Sequence, residues 1–375
     1  MIYILITWLS APFWWPVSYM RRWQRVKKIL VLEIAGMGDV VCSTPVFHAL
    51  RQTYPQATID LLTDQAWVEL FQSGIPELNR VIGWRPQRLK GLLGRLQLAR
   101  RLSAYDTALC LNPGAAQLSA MCWAALPRRM SVLPDVRSSS YRLLAPLLSR
   151  VEWHTRGASF LHTQLRLVQG HDLPSPPSPR RMQASPASRA QAAAFLPDTT
   201  LTTLGLAIGS GRKIKTLPFE LLRDVVQTLL LDERLQVVLL GVASDREQAQ
   251  RLLAHCPSRR LIDATGRFAL ADIPGLLLRL QVFLGVDSGL TYLAHALGAR
   301  VVCVVGPVDM SETGLQGERV RLIDHKPPCA PCSWVFATTQ NCHQAQQSCL
   351  QDLDAASIVA AVHDLLHEDE PLAQP

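Results

Sequence analysis

Two glycine-bearing segments pair the geometry of a ligand site with an acid. The first, Gly36-Met37-Gly38-Asp39-Val40, follows the apolar run Ile29-Leu30-Val31-Leu32. The second, Gly285-Val286-Asp287-Ser288-Gly289-Leu290, follows Gln281-Val282-Phe283-Leu284. Each lies between a β-like run and a helix-like one, and α/β folds bind ligands at the carboxyl ends of strands. Glycine lets the backbone approach a ligand, and a helix start presents N–H groups and positive dipole. Asp39 and Asp287 bring proton or hydroxyl chemistry, and the pattern reads as facing halves of one site. A third glycine segment, Gly209-Ser210-Gly211-Arg212-Lys213-Ile214-Lys215-Thr216, is basic and suits an anion. Plainer readings stand beside these: helix caps for the two acids, and a solvated turn for the basic run.

Two further clusters have the residue types of metal sites. Cys329-x-x-Cys332 is followed by Cys342 and Cys349, four thiols that suit structural zinc or iron. Reduced structural thiols are the alternative, since the second pair lacks a short spacing. Asp352-Leu353-Asp354 has the letters of a metal-holding pair but sits just before the last helical stretch, so it reads as a cap. Cys42, Cys110, Cys122, Cys256 and Cys303 fall in apolar or helical contexts and read as small core residues.

The elements around these segments predict an α/β chain of two doubly wound domains. In the amino half, strands are expected at 29–34, 58–62, 79–82 and 107–111, and a helix at 44–53 with Thr44 and Pro45 at its start. Residues 86–103 read as a basic amphipathic helix carrying Arg88, Lys90, Arg95, Arg100 and Arg101 among leucines. Prolines crowd residues 171–200, marking a linker with a short helix at 187–195. Strands are expected again at 201–208, 235–240, 281–284 and 301–305, with helices at 218–231, 244–255, 270–279 and 289–298 between them. This gives domains at 28–170 and 201–350, with a closing helix at 354–367 in a tail that begins at 351.

At 375 residues with 48% hydrophobic content, both domains can bury a core. The net charge of +8 is uneven: residues 1–200 hold 23 Lys and Arg against 11 Asp and Glu. A basic amino half suits an anionic partner: phospholipid, phosphorylated glycolipid or nucleic acid. Nucleic acid is disfavoured because the basic residues are not interleaved with aromatics in a known module. Residues 1–20 carry no charge and three tryptophans, and Arg21, Arg22, Arg25, Lys27 and Lys28 follow. A secretory leader would place charge first. Residues 1–27 are therefore expected to anchor the chain at the cytoplasmic face of the inner membrane, although Pro12 and Pro16 argue against a straight spanning helix. A buried amino-terminal helix is the alternative.

Residues 36–45, GMGDVVCSTP, resemble the amino-terminal signature of the heptosyltransferase family, glycosyltransferase family 9 of the GT-B class. Residues 209–218, GSGRKIKTLP, resemble its donor-phosphate loop, and residues 285–298, GVDSGLTYLAHALG, its nucleotide-sugar signature. The three occur in the family's order over roughly residues 28–350. The resemblance implies two Rossmann-like domains across a cleft, and transfer of a sugar, typically heptose from ADP-heptose, to a lipopolysaccharide-type acceptor with inversion. It implies Asp39 as the base, with Gly36, Met37 and Gly38 on the acceptor side. It implies donor binding by Gly209, Ser210, Gly211, Lys215 and Thr216, with Asp287, Ser288, Gly289 and Leu290 opposite, and no catalytic metal. Arg212 and Lys213 are rivals for the place of Lys215. Tyr292 stands where the family usually has His, and Leu217 where it usually has an aromatic. A nucleotide-sugar epimerase is the second enzyme reading, although no second acid/base group matches Asp39. A non-catalytic sugar-nucleotide-binding protein is the third.

Overall fold

The computed structural model describes residues 2–87, 91–136, 140–170 and 179–367. The chain divides into two compact units, Met1–Arg180 and Arg181–Pro375.

The first unit opens with α1 (Ile2–Leu9) and α2 (Ala11–Arg21). Six parallel strands follow: β1 (Lys28–Leu32), β2 (Thr58–Asp64), β3 (Arg80–Trp84), β4 (Thr107–Cys110), β5 (Arg128–Pro134) and β6 (Arg150–His154). The helices between and after them are α3 (Met37–Cys42), α4 (Thr44–Thr53), α5 (Val68–Gly74), α6 (Leu92–Leu102), α7 (Ala115–Trp123) and α8 (Phe160–Gln169). Strand order is β3-β2-β1-β4-β5-β6, so the direction of winding reverses between β1 and β4. Ile29, Leu30, Val31 and Leu32 are all fully buried, as expected of a parallel strand covered on both faces.

The second unit repeats the plan. Its helices and strands are α9 (Pro186–Phe195), β7 (Thr202–Ala207), α10 (Phe219–Leu229), β8 (Leu235–Leu240), α11 (Arg246–His255), β9 (Leu261–Asp263), α12 (Ile273–Leu277) and β10 (Val282–Val286). They continue with α13 (Gly289–Ala296), β11 (Arg300–Val305), α14 (Met310–Thr313), β12 (Val320–Asp324), α15 (Ser348–Gln351) and α16 (Ala355–His367). Strand order β12-β11-β10-β7-β8-β9 is the same winding read from the other edge, with its reversal between β7 and β10. The closing helix α16 packs on this unit, burying Ile358, Val362 and Leu365 in its core.

The amino terminus departs from the expected anchor. The apolar stretch breaks at Ser10, and Pro12 sits in the first turn of a new helix, where its missing N–H costs nothing. The two pieces have 8 and 11 residues, and among the described residues no helix is long and apolar enough to cross a membrane. Instead Ile4, Ala11 and Trp14 join the first unit's core beside Leu118 and Met121 of α7. Ser18 Oγ donates to the Leu126 carbonyl at 2.8 Å. Residues 2–21 are thus a helical pair docked on the first unit. The basic amphipathic helix is shorter than its pattern: α6 begins at Leu92, and Arg88 and Lys90 lie outside the described residues. Within the expected linker 171–200, residues 171–178 lie outside the described residues, while 186–195 form α9.

Candidate active-site loops

In the first unit, β1 ends at Leu32, and the chain turns through Gly36 into α3. Gly36 is the N-cap, and its amide donates to Asp39 Oδ2 at 3.0 Å. A Cβ on residue 36 would lie 3.2 Å from that oxygen, so glycine fits this approach. Asp39 therefore does cap its own helix, the plainer reading. It nevertheless remains solvent-exposed at the positive end of α3. Capping and accepting a proton are compatible, because a carboxylate has lone pairs to spare. Gly36 is exposed, and Met37 and Gly38 are half-exposed around it.

Beneath this loop lies an acid that the motif reading did not single out. Glu33 continues β1 and is fully buried. Ser43 Oγ donates to Glu33 Oε1 at 2.8 Å, and Gln164 Nε2 of α8 donates to Ser43 Oγ at 3.0 Å. Burial holds the Glu33 carboxyl well above the usual glutamate range; the Ser43 hydrogen bond opposes this, and the charge of Asp39 adds to it. Its sequence signal was an acid closing an otherwise apolar strand. The loop Leu111–Gly114 leaves β4 at the same winding reversal, and its Asn112-Pro113-Gly114 turn was also passed over.

In the second unit, both expected donor segments leave the two strands that flank the reversal. β7 and β10 pair in register, Leu204 with Val282 and Leu206 with Leu284. The β7 end carries Gly209–Lys215 and the β10 end carries Asp287, so neighbouring strands deliver the two segments together. Lys215 Nζ binds the Asp287 carboxylate and also donates to its carbonyl at 3.2 Å. Tyr292 Oη donates to the other carboxylate oxygen, Asp287 Oδ1, at 2.5 Å. The Asp287 side chain is 5% exposed and that of Lys215 16%. Of the three rival cations, Lys215 is the one that reaches Asp287, while Lys213 is exposed. Ser288 is the N-cap of α13, so Ser288, Gly289 and Leu290 stand at that helix start. Leu217 is buried in the unit's core, which accounts for an aliphatic residue there. Thr216 is half-buried between them.

Gly209 also has a local steric reason. A Cβ there would lie 2.4 Å from Asp245 Oδ2, an overlap, because the Asp245 carboxylate occupies that space while accepting from the Val242 amide at 2.8 Å. A Cβ at Gly211 meets nothing within 4 Å, which leaves it the open position of the loop.

The four thiols lie within electrostatic reach of one another, but they are not arranged as a metal site. Among the described residues no group of three or more His, Cys, Asp or Glu is placed to hold a metal ion. Cys349 turns into the core beside Leu350 and Ile358, whereas Cys329 is exposed on its loop. Cys332 is held by its backbone, its amide donating to the Pro307 carbonyl at 2.9 Å. Burial raises the thiols of both Cys332 and Cys349. Asp354 caps α16, accepting from the Ser357 amide at 2.9 Å, and Asp352 lies 3.8 Å from His325.

The sequence model of glycosyltransferase family 9 (heptosyltransferase) matches residues 95–342. Lipopolysaccharide heptosyltransferase 2 of Salmonella typhimurium is 26% identical over 363 residues, covering 91% of this chain and 99% of that protein. Lipopolysaccharide heptosyltransferase 1 of Pseudomonas aeruginosa is 26% identical over 81% of this chain and 86% of its own length. The structure of the E. coli ADP-heptose lipopolysaccharide heptosyltransferase II superposes with a TM-score of 0.73 at 22% identity, over 92% of this chain and all of that one. A family 9 glycosyltransferase from Veillonella parvula gives 0.76 at 20% identity, over 91% and 98% of the two chains. Two parallel sheets wound alike, with the motif loops at their reversals and a family match over most of the chain, lead to one assignment: this chain belongs to glycosyltransferase family 9, the heptosyltransferases.

Proposed function

We propose that the chain moves a heptose from ADP-heptose onto a lipopolysaccharide-type glycolipid at the cytoplasmic membrane face, with inversion. The exposed Asp39 carboxylate at the start of α3 carries this reading. It takes the proton of the acceptor hydroxyl as that oxygen attacks the anomeric carbon, and the C–O bond to the diphosphate breaks on the opposite face. Lys215 and the amides at the start of α13 meet the charge that builds on the leaving diphosphate. Asp287 aims the ammonium and can accept from sugar hydroxyls. The groups proposed to meet the diphosphate are an ammonium and backbone amides, so EDTA is expected to leave transfer intact; loss of activity restored by magnesium would reverse that view.

The relatives named for ADP-heptose support the donor, and the relatives named for lipopolysaccharide support the acceptor class. A thermal-shift screen of sugar nucleotides tests the reading: ADP-heptose and ADP should raise the midpoint more than UDP- or GDP-sugars at equal concentration. Protection by a UDP-sugar alone would overturn the choice of donor.

A further inference from the structure

The outer face of the amino-terminal helical pair is apolar where water would be expected. In α1 the buried stripe is Ile4 and Thr7, and the opposite stripe, Ile2, Leu5, Ile6 and Leu9, is exposed. In α2 the buried stripe is Ala11, Trp14 and Ser18, while Phe13, Trp15, Val17 and Met20 face outward. Phe13 is 82% exposed. A helix docked on a globular core ordinarily turns a polar face to solvent. Eleven of the twenty exposed large apolar side chains among the described residues lie in residues 2–23. Such concentration marks a surface that meets something apolar.

The patch continues onto α6. Arg95 of α6 stacks on the Tyr3 ring of α1 at 3.5 Å, which sets the two helices side by side. Trp8 Nε1 donates to the Leu143 carbonyl at 2.8 Å, which brings the exposed Leu143 to the edge of the patch. Leu92, Leu93 and Leu96 are exposed at the start of α6, and Arg100 and Arg101 follow at helical spacing along the same side. Both α2 and α6 therefore run from apolar to basic. Their basic ends meet, since Arg21 Nη2 lies 3.5 Å from the carbonyl of Tyr105, just past α6. There a groove of about 730 Å³ opens between β3 and α6, lined by Arg80, Arg100, Arg101 and Tyr105 among others. Arg22, Arg25, Lys27 and Lys28 are exposed beyond it.

We propose that this face of the first unit lies in the surface of an anionic bilayer. The outer stripes of α1 and α2 and the leucines of α6 enter the acyl–headgroup boundary, and the arginines of the groove hold lipid phosphates. Apolar residues with Trp and Tyr at one level and guanidinium groups at the next match the layering of that boundary. Charge complementarity selects a membrane over a second copy of the chain, because a copy would bring the same cations. The inference deepens the membrane location proposed above and rests on it, yet needs neither the sugar nor the acceptor.

The test is flotation of the full-length chain with phosphatidylcholine vesicles, with and without phosphatidylglycerol. Deleting residues 1–27 would bare Leu118 and Met121, so substitutions at exposed positions serve better. Phe13→Gln/Trp15→Gln/Leu93→Gln should lower partition about tenfold or more at low and high salt alike, since apolar insertion is not screened. Arg100→Gln/Arg101→Gln should lower binding about tenfold, and only to vesicles holding phosphatidylglycerol. Both variants should keep the parent's melting midpoint and its protection by ADP. Parent-like flotation of the triple variant would overturn the proposal. So would a concentration-dependent dimer that the triple variant abolishes while the parent ignores vesicles; the occupant would then be a second copy. Loss of ADP protection with flotation retained would strike at the proposed transfer and leave the membrane face standing.

Discussion

Each unit places an aspartate where a strand hands over to a helix, and the two aspartates end in opposite surroundings. Asp39 is exposed and bound by the amide of Gly36 within its own turn. Asp287 is buried and bound by two other side chains, Lys215 from a neighbouring strand end and Tyr292 from α13. The same device thus yields two kinds of group. A carboxylate open to solvent can accept a proton and lose it again. A buried carboxylate already holding a lysine and a phenol is fixed in orientation by both. In the proposed transfer, the first serves turnover and the second holds a cation against the diphosphate.

The comparison breaks most sharply at Asp39. Asp39→Asn keeps the oxygen that accepts from Gly36, so the helix cap survives. The proposed base is lost, and turnover should fall by about 10²–10⁴-fold. The melting midpoint and its rise with ADP should stay close to the parent's. Near-parental turnover would remove Asp39 from the role. Asp287→Ala should do the reverse. It strands a largely buried ammonium, at a cost on the order of 3–5 kcal/mol of folding stability, and donor protection falls with it. Unchanged stability would mean that Lys215 simply swings to water and that the pair orders nothing. Lys215→Ala leaves the buried Asp287 carboxylate without its cation, so it too should lose stability, and it should weaken ADP binding by about 1.5–3 kcal/mol; unchanged product inhibition would shift the role to Arg212 or Lys213.

Most of the fold was legible in the sequence, and what escaped did so for separable physical reasons. Strands at the centre of a parallel sheet are apolar on both faces, so β1, β7, β8 and β10 stood out as runs. β5 and β6 were not marked, because Arg128, Arg129, Arg150, Glu152 and His154 interrupt any apolar pattern. β12 alternates Val320, Arg321, Leu322, Ile323 and Asp324 at a sheet edge, and it too went unmarked. The chemistry-bearing loops were legible because glycine, acid and base cluster within a few residues. Their wiring was not. The Lys215–Asp287 pair joins positions 72 residues apart and depends on β7 and β10 being neighbours. The need for glycine at 209 depends on Asp245 on the next turn over. Composition correctly marked residues 1–20 as unusual, but only packing could show that one stripe faces α7 rather than lipid.

Tyr292 sharpens the comparison by a smaller step. Its hydroxyl donates to a buried carboxylate, and Tyr292→Phe removes that bond while keeping the ring. One hydrogen bond to a charged group contributes about 1.5–3 kcal/mol. Part of that loss should appear as lower stability and part as weaker ADP protection, since Lys215 still binds the other oxygen. Effects on stability alone would make the phenol a core residue with no share in donor binding.

The smallest effect concerns what lies beneath each loop. Under Asp39 sits Glu33, whose carboxyl is held protonated above its ordinary range chiefly by burial. In the unfolded chain the same carboxyl loses its proton near pH 4–5. Between that pH and its raised folded value, the native chain binds more protons than the unfolded one. Stability supplied by the neutral acid is therefore whole below the unfolded value and is lost as pH rises toward the folded one. Glu33→Gln keeps an acceptor for Ser43 and cannot ionise, so it should lose less stability between pH 5 and pH 8 than the parent. A tenfold difference in proton affinity corresponds to about 1.4 kcal/mol, the ceiling on the stability difference for each pH unit crossed. The measurement is the midpoint of thermal unfolding for both proteins across that range. Parallel curves would show that Glu33 ionises in place, and that the first unit's loop is backed by a charge, as the second unit's is by Lys215.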